Sequence, residues 1–585
     1  MWADREAERH PADGGGSWVL SDGPDELVVS SSGRFELTYT AGPGGVAEGG
    51  SLWFVPEPFW GWSAPQVQRS ELPGFVRFVG PQGVTLAPEP HDGQLRLVVR
   101  GRGLVEGERV VLIYGEGEGA RTDRFADAEA GLYLGVDGDG DGVRSLVQPT
   151  PTVRVVAGEA TRLHLVVPTT APTGGTVLLR VAALDGSGSR TASSATVTLS
   201  LPEGWEGPAA VTLEDGVAAV PIRVGASTLG VVEATTGALA ATSNPLLVRD
   251  GAPRMLWADL QIHTGRSDGT GTPADAYRYA REVAGLDVAA VTDHDRFGMR
   301  FLDAEEALWT EAIEAAASAG VDGFVAIPGY EWTNWIYGHR HVLYFGTPGP
   351  VLSSLDPATD TPPELWAALR AHQPVLTVPH HPAGGPVPVD WSFPSPPDLE
   401  PVVEVVSVHG QSESPTLPQP IYGVAGGGWV ADQLQGGRRL GLIGSTDGHD
   451  GHPGLSQLVG GASGGLTALV DAEPTRQGVY EALRARRVYA TNGPRMLLRL
   501  SVGDAPMGSV LPSGTHELEL VVVGTAPLLG VELVRRGQVE RVDGDGSSVL
   551  RKQWTLTAAD GDLAYVRVVQ ADGGMGWTSP IWFSD

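Results

Sequence analysis

The chain has 585 residues, too many for one hydrophobic core, so three or four domains are expected. Lys and Arg number 40 against 70 Asp and Glu, and the net charge of −30 repels phosphate backbones, which argues against nucleic-acid binding. The absence of Cys removes disulfides and thiolate metal sites, and no apolar run approaches a bilayer span, so no membrane partner is expected.

In chain order, residues 1–16 are charged, end in Pro-Ala-Asp-Gly-Gly-Gly and read as a disordered tail. They hold no apolar signal core, so a cytoplasmic location is expected. From 17 to 156 apolar and polar residues alternate between Gly and Pro turns, as in Arg34-Phe-Glu-Leu-Thr-Tyr39 and Arg109-Val-Val-Leu-Ile-Tyr114, which predicts a β-sandwich. The loop Glu57-Pro-Phe-Trp-Gly-Trp-Ser-Ala-Pro65 concentrates aromatics that would pack on a neighbouring domain or contact a sugar. Asp137-Gly-Asp-Gly-Asp-Gly142 has the spacing of a calcium loop through Asp137, Asp139 and Asp141, but Gln148 stands where a twelfth-position Glu is needed, so an acidic turn competes with calcium. Residues 157–250 repeat the strand rhythm at the length of an immunoglobulin-like module.

From 251 to 494 the texture becomes α/β. A strand from Met255 to Ile262 leads to a helix capped by Thr272-Pro273, Gly285 ends that helix, and a strand from Leu286 to Val291 follows. Further helices are expected at 302–319, 363–371 and 475–484, and strands at 324–328, 375–378, 402–408 and 440–444. This alternation predicts an α/β barrel or open parallel sheet with its site at the strand C-terminal ends. Residues 495–585 return to period two and read as a small C-terminal β domain.

Of the 14 His, His263, His294, His339, His341, His372, His380, His381, His409, His449 and His452 fall in the α/β segment. Six strand ends carry imidazole or carboxylate: Asp259-Leu-Gln-Ile-His263, Asp293-His-Asp295, Glu331, His380-His381, His409 and Asp447-Gly-His449. One such end would be read as packing; six in series point to a shared rim of metal ligands.

The stretches Asp259-Leu-Gln-Ile-His-Thr264, Ser267-Asp-Gly269 and Thr292-Asp-His294 resemble the first motifs of the PHP (polymerase and histidinol phosphatase) superfamily, and Glu331, His381, His409, Asp447 and His449 match its later ligands in order. Gln261 stands where that pattern has a His, and an amide oxygen is a poorer zinc ligand than imidazole. The stretches Phe59-Trp-Gly-Trp62, Arg486-Arg-Val-Tyr-Ala-Thr-Asn-Gly493 and Tyr565-Val-Arg-Val-Val-Gln570, the last followed by Trp577-Thr-Ser-Pro-Ile-Trp582, are similar to large bacterial members grouped with carbaryl-hydrolase-like proteins. The resemblance implies a distorted (β/α)7-type barrel with two or three divalent cations, manganese, zinc or iron. One would be held by His263, Glu331 and Asp447 with Gln261 near it, a second by Glu331, His381 and His409, and a third by Asp268, His294 and His449. It further implies hydrolysis by a metal-bridged hydroxide, of a phosphate ester first, or of a carbamate or carboxylic ester on the same site. On this reading Glu331, Asp447 and His409 are also the catalytic residues.

Other residues stay open. His380 is either a ligand or the residue that orients His381. His339 and Arg340 either face the site, where they would neutralise a leaving group, or lie on a surface strand, and Arg266 is either a phosphate clamp or solvated. Asp295 either orients an imidazole or caps a turn, while His341 and His452 read as structural. A binding protein that has lost catalysis, its β domains touching a glycan, is the competing class, and Gln261 is the feature favouring it.

Overall fold

A computed structural model describes residues 9–585 apart from 59–60, 92, 227, 322 and 457–463, so Phe59 and Trp60 of the aromatic loop lie outside the described residues, as do residues 1–8 of the tail. The protein is multi-domain and mostly β, and it divides into two compact units at 158/159.

The first unit is built of two main sheets sharing one core, with a two-stranded ladder of Ser32–Gly33 and Ala120–Arg121 in addition. A four-stranded sheet (Ser17–Asp22, Phe35–Thr40, Arg109–Tyr114, Val76–Val79) supplies Leu37 and Val110, and a seven-stranded sheet supplies Leu52, Leu95 and Leu132. Trp62 enters this core, its ring 5.8 Å from Phe35, so this part of the aromatic loop is spent within its own unit. Residues 10–16, expected as disordered tail, form turns instead. Ala12 is 3% exposed, and Gly14 N–H donates to the Val136 carbonyl at 3.0 Å. The carboxylates of the Asp137–Gly142 loop accept its own backbone N–H groups, Asp137 from Gly140 at 2.7 Å and Asp141 from Val143 at 2.7 Å. The side chain that approaches Asp137 and Asp139 at ligand distance is Asp13, in place of the expected Asp141.

In the second unit, residues 159–250 form three small sheets around a core that includes Leu179, Val197 and Trp205. Then come β1 (Met255–Asp259), α1 (Pro273–Glu282), β2 (Val288–Val291), α2 (Glu306–Ala319), β3 (Val325–Trp332), β4 (Arg340–Tyr344), α3 (Pro362–Leu369) and β5 (Val375–Pro379). After them run β6 (Val402–Ser407), α4 (Val430–Gln435), β7 (Gly441–Gly444), β8 (Leu466–Val470), α5 (Arg476–Arg484) and β9 (Val488–Thr491). Thr272 caps α1 as expected, its hydroxyl accepting from Asp275 N–H in a capping box, and Gly285 follows the helix at φ 62°.

The alternation of strand and helix holds only through β3. β1, β2 and β3 are parallel, but β4 returns antiparallel on β3, β5 antiparallel on β4, and β8 antiparallel on β1. β6 and β7 pair in parallel in a separate small sheet. A regular (β/α)7 barrel is therefore not evident. Residues 495–585 are divided: Leu497–Val502, Ala505–Pro506, Gly514–Val523 and Val549–Ala558 form a separate sheet, while β9 pairs with Met575–Thr578, which carries the hydrogen bonding on to Leu563–Gln570 and Leu528–Arg535. β1, β2, β3 and β8 are buried along their whole length because both faces of the sheet are covered there. Leu256, Val288 and Ile327 face one core; Trp257, Ala289 and Ala326 face another that includes Tyr277 of α1 and Val566 of the C-terminal strands. Each large side chain so buried contributes about 1.5–3 kcal/mol.

Candidate metal centre

β1 ends at Asp259, and the chain beyond it runs as a loop beside the loop after β7. His263 N–H donates to the Gly448 carbonyl at 2.9 Å, and Asp447 N–H to the Gln261 carbonyl at 3.1 Å. Asp259, at the first position of the motif, makes this joint. Its buried carboxylate accepts from Thr446 N–H at 3.0 Å, from the Thr446 hydroxyl and from Gly454 N–H at 2.8 Å, so it fixes the loop that carries Asp447. Asp293 does the same for the turn after His263, accepting from Thr264 N–H, the Thr264 hydroxyl and the Ser267 hydroxyl, each at 2.7 Å. Gly269 lies so close to this turn that a Cβ would stand 2.4 Å from the His263 carbonyl.

Glu331 is the hub. Its Oε1 lies 2.8 Å from His339 Nδ1, 3.1 Å from His380 Nε2 and 3.2 Å from His294 Nδ1. Its Oε2 accepts from the Gln261 amide at 2.8 Å and lies 3.3 Å from His263 Nε2. Asp447 places Oδ1 3.2 Å from the same His263 nitrogen and Oδ2 2.9 Å from His409 Nε2. Its backbone sits at φ 54°, a left-handed conformation that costs a β-carbon about 1–2 kcal/mol. Asp268 Oδ1 lies 3.4 Å from both His294 Nε2 and His449 Nε2. The other nitrogen of each is anchored, His294 Nδ1 at the Thr333 hydroxyl (2.6 Å) and His449 Nδ1 on the Asp447 carbonyl (2.9 Å), so Nε2 is the nitrogen that could meet a cation.

The donor atoms gather in sets, each within 4.8 Å: His263, Glu331 and Asp447; His263, Asp268, His294 and His449; Glu331, His341 and His380; and His339, His380 and His381. All are buried or nearly so, His409 being the most accessible with 16% of its side chain exposed. Gln261 Oε1, both nitrogens of His341, His339 Nε2 and His381 Nδ1 are buried with no hydrogen-bond partner. Lone pairs left over in this way beside three carboxylates fit divalent cations.

The electrostatics agree. Burial would raise Glu331 and Asp447, but the imidazoles around them, His380 and His294 for the first and His409 and His263 for the second, outweigh it and hold both carboxyls well below their ordinary range. Burial likewise opposes a proton on His263, yet Asp447 and Glu331 hold it well above the usual imidazole value. Three buried carboxylates thus demand positive charge at one spot. Burial pushes His339 down to about 4 and His381 well below the ordinary value, so both present neutral imidazole.

Other expected residues fall elsewhere. His409, expected with Glu331 and His381, sits on Asp447 and contacts the Tyr422 hydroxyl at 3.1 Å. Arg266 is engaged by Glu311 at 2.6 and 2.7 Å, and Arg340, 1% exposed, pairs with Glu400 at 3.0 Å. Asp295 accepts the N–H groups of Thr333 and Ser354 at 2.9 and 2.5 Å. His452 meets Ser189 of the preceding β module at 3.1 Å. Sequence reasoning missed Phe297 and Trp335, whose rings lie 5.2 Å from His294 and 5.4 Å from His339, and Tyr422; no spacing rule marks them.

Comparison with known proteins finds matches over parts of the chain. The family described as "Protein of unknown function (DUF3604)" matches residues 454–509, a segment that holds none of the ligands. An uncharacterized protein of Chlamydia pneumoniae is 27% identical over 366 residues, 57% of this chain and 58% of its own length. One of Chlamydia muridarum is 26% identical over 381 residues, 58% of this chain and 59% of its own length. The chain thus spans under two thirds of these relatives. Among solved structures, a two-domain protein from Bacteroides vulgatus containing a predicted PHP-like metal-dependent phosphoesterase aligns at 15% identity with a TM-score of 0.32, covering 56% of this chain and 95% of that one. Among the described residues no helix is long and apolar enough to cross a membrane.

Proposed function

We propose that this chain is a metal-dependent hydrolase, its cations held by His263, Glu331 and Asp447 and by Asp268, His294 and His449, with Gln261 Oε1 facing the first set. The observation that carries the reading is the convergence of three buried carboxylates with these imidazoles and with acceptor atoms that lack any protein donor. Divalent cations bound there supply Lewis acidity and ease the deprotonation of water near neutral pH. Glu331 fixes the relative positions of five side chains on two sides of the site. His409 Nε2 lies 2.9 Å from Asp447 Oδ2, and its Nδ1 lies 3.1 Å from the hydroxyl of Tyr422, a half-exposed phenol.

Hydrolysis of a phosphate ester comes first, on the motif resemblance. A carboxylic or carbamate ester is the second reading, favoured by the aromatic rings beside the imidazoles. Phe297 packs on His294 and Trp335, and Tyr422 meets His409, while Arg266, Arg296 and Arg300 are engaged by Glu311, Asp303 and Glu305, so these guanidinium groups are committed to carboxylates. A panel of phosphomonoester, phosphodiester and aryl-ester substrates, assayed with manganese or zinc, separates the two. Purified protein that binds neither metal and turns over none of them would leave a scaffold role.

A further inference from the structure

Beyond the carboxylate sets, one side of Glu331 is built of imidazole. β4 and β5 pair with Arg340 opposite Pro379, and this register sets His339, just before β4, beside His380 and His381, just after β5. The three side chains are 3%, 2% and 3% exposed, and one nitrogen of each lies within 4.8 Å of the others. Ring centroids are 3.9 Å apart for His380 and His381, 4.8 Å for His339 and His381, and 5.5 Å for His339 and His380.

Three clustered imidazoles cannot satisfy one another, since the two nitrogens of each ring point in different directions. One contact is made, His381 Nε2 to His339 Nδ1 at 3.3 Å, and it competes with Glu331 for the same nitrogen. His339 Nε2 and His381 Nδ1 remain buried without a partner. The chain also holds His381 at φ 36°, a left-handed conformation that a β-carbon disfavours. A set of nitrogens with few oxygens suits a borderline cation and disfavours magnesium or calcium.

We propose that His339, His380 and His381 form a cation site of their own, of the zinc type, beside Glu331. This assigns His339, whose place in the motif pattern has no ligand, to the metal centre as a ligand in place of the leaving-group role. The proposal rests on reading this rim as a metal centre, and the test separates the two.

Full-length protein is stripped with chelator, equilibrated with zinc ions, gel-filtered and assayed by plasma mass spectrometry, alongside His339→Gln, His381→Gln and His294→Gln. Circular dichroism checks that each variant folds, and His381→Gln carries the test should His339→Gln fail to fold. The expected result is one zinc fewer than wild type in each single variant and two fewer in His294→Gln/His339→Gln, with a lower average imidazole count in the zinc X-ray absorption spectrum of His339→Gln. A full zinc complement in folded His339→Gln and His381→Gln overturns this site and leaves the other cation sets standing. A wild type that takes up no zinc overturns the metal centre and this site with it.

Discussion

Gln261 is the residue at which this rim departs from the motif it resembles, and its geometry says what the amide does. Its nitrogen donates to Glu331 Oε2 at 2.8 Å, holding that carboxylate in place, while its oxygen lacks a partner. Gln261→Ala removes both and is expected to weaken zinc binding about 10–100-fold, the usual effect of losing a residue that orients a ligand, read by competition with a chelating dye. pH acts through His263. A cation needs neutral imidazole, and the carboxylates around His263 hold its proton to higher pH than usual, so proton and metal compete through neutrality. Zinc affinity is therefore expected to be higher at pH 8 than at pH 6, with protons released on binding; equal affinities and no proton release would contradict this. At this scale much was legible. Glu331, Asp447 and His263 stand out as polar residues ending apolar strands. The roles of Asp259 and Asp293 were not, because a carboxylate that accepts backbone N–H groups looks the same in sequence as one that binds metal.

At the scale of the element, turns and registers aim the ligands. Gly269 lets the turn after His263 close against its own backbone, and the Cβ of Gly269→Ala would sit 2.4 Å from the His263 carbonyl. A cost of about 1–3 kcal/mol is expected, together with loss of bound metal, since the clash displaces a ligand. Thr272→Ala, which removes the cap of α1, should cost about 1 kcal/mol and leave metal content unchanged. Denaturant unfolding with metal analysis distinguishes the two outcomes. Helices α1, α2, α3 and α5 and the parallel strands were readable because their periodicity is local, whereas α4, Val430–Gln435, is too short to show one. Whether His339 and Arg340 face the site or lie on a surface strand stays open in the sequence: Arg340–Tyr344 looks like any short return strand, and only its pairing with β5 shows that His339 meets His380.

For the whole molecule, the β segments of the second unit brace the centre. Trp257 Nε1–H donates to Thr169 at 2.7 Å, the Tyr279 hydroxyl to the Gly188 carbonyl at 2.7 Å, and Arg495 to the carbonyls of Ala284 and Gly285 just beyond α1. The joining of the C-terminal strands to β9 was invisible in the sequence because edge pairing depends on partners far apart along the chain, such as Tyr489 opposite Thr578. The first unit titrates on its own terms. Burial lifts Asp123 to about 8, so the folded state keeps a proton that the unfolded chain has lost above pH 4 or so. The contribution of Asp123 to this unit's stability is thus full at low pH and falls as pH rises toward 8. Asp123→Asn is expected to raise its melting temperature more at pH 8 than at pH 5 without altering metal content.

The central claim is that Glu331 sits among bound cations. Anomalous diffraction from crystals soaked in zinc or manganese tests it most directly. The account predicts peaks within about 2.0–2.3 Å of donor atoms of Glu331, His263 and Asp447, and of Asp268, His294 and His449. A map with no peak at Glu331 in well-ordered, metal-soaked crystals would contradict it.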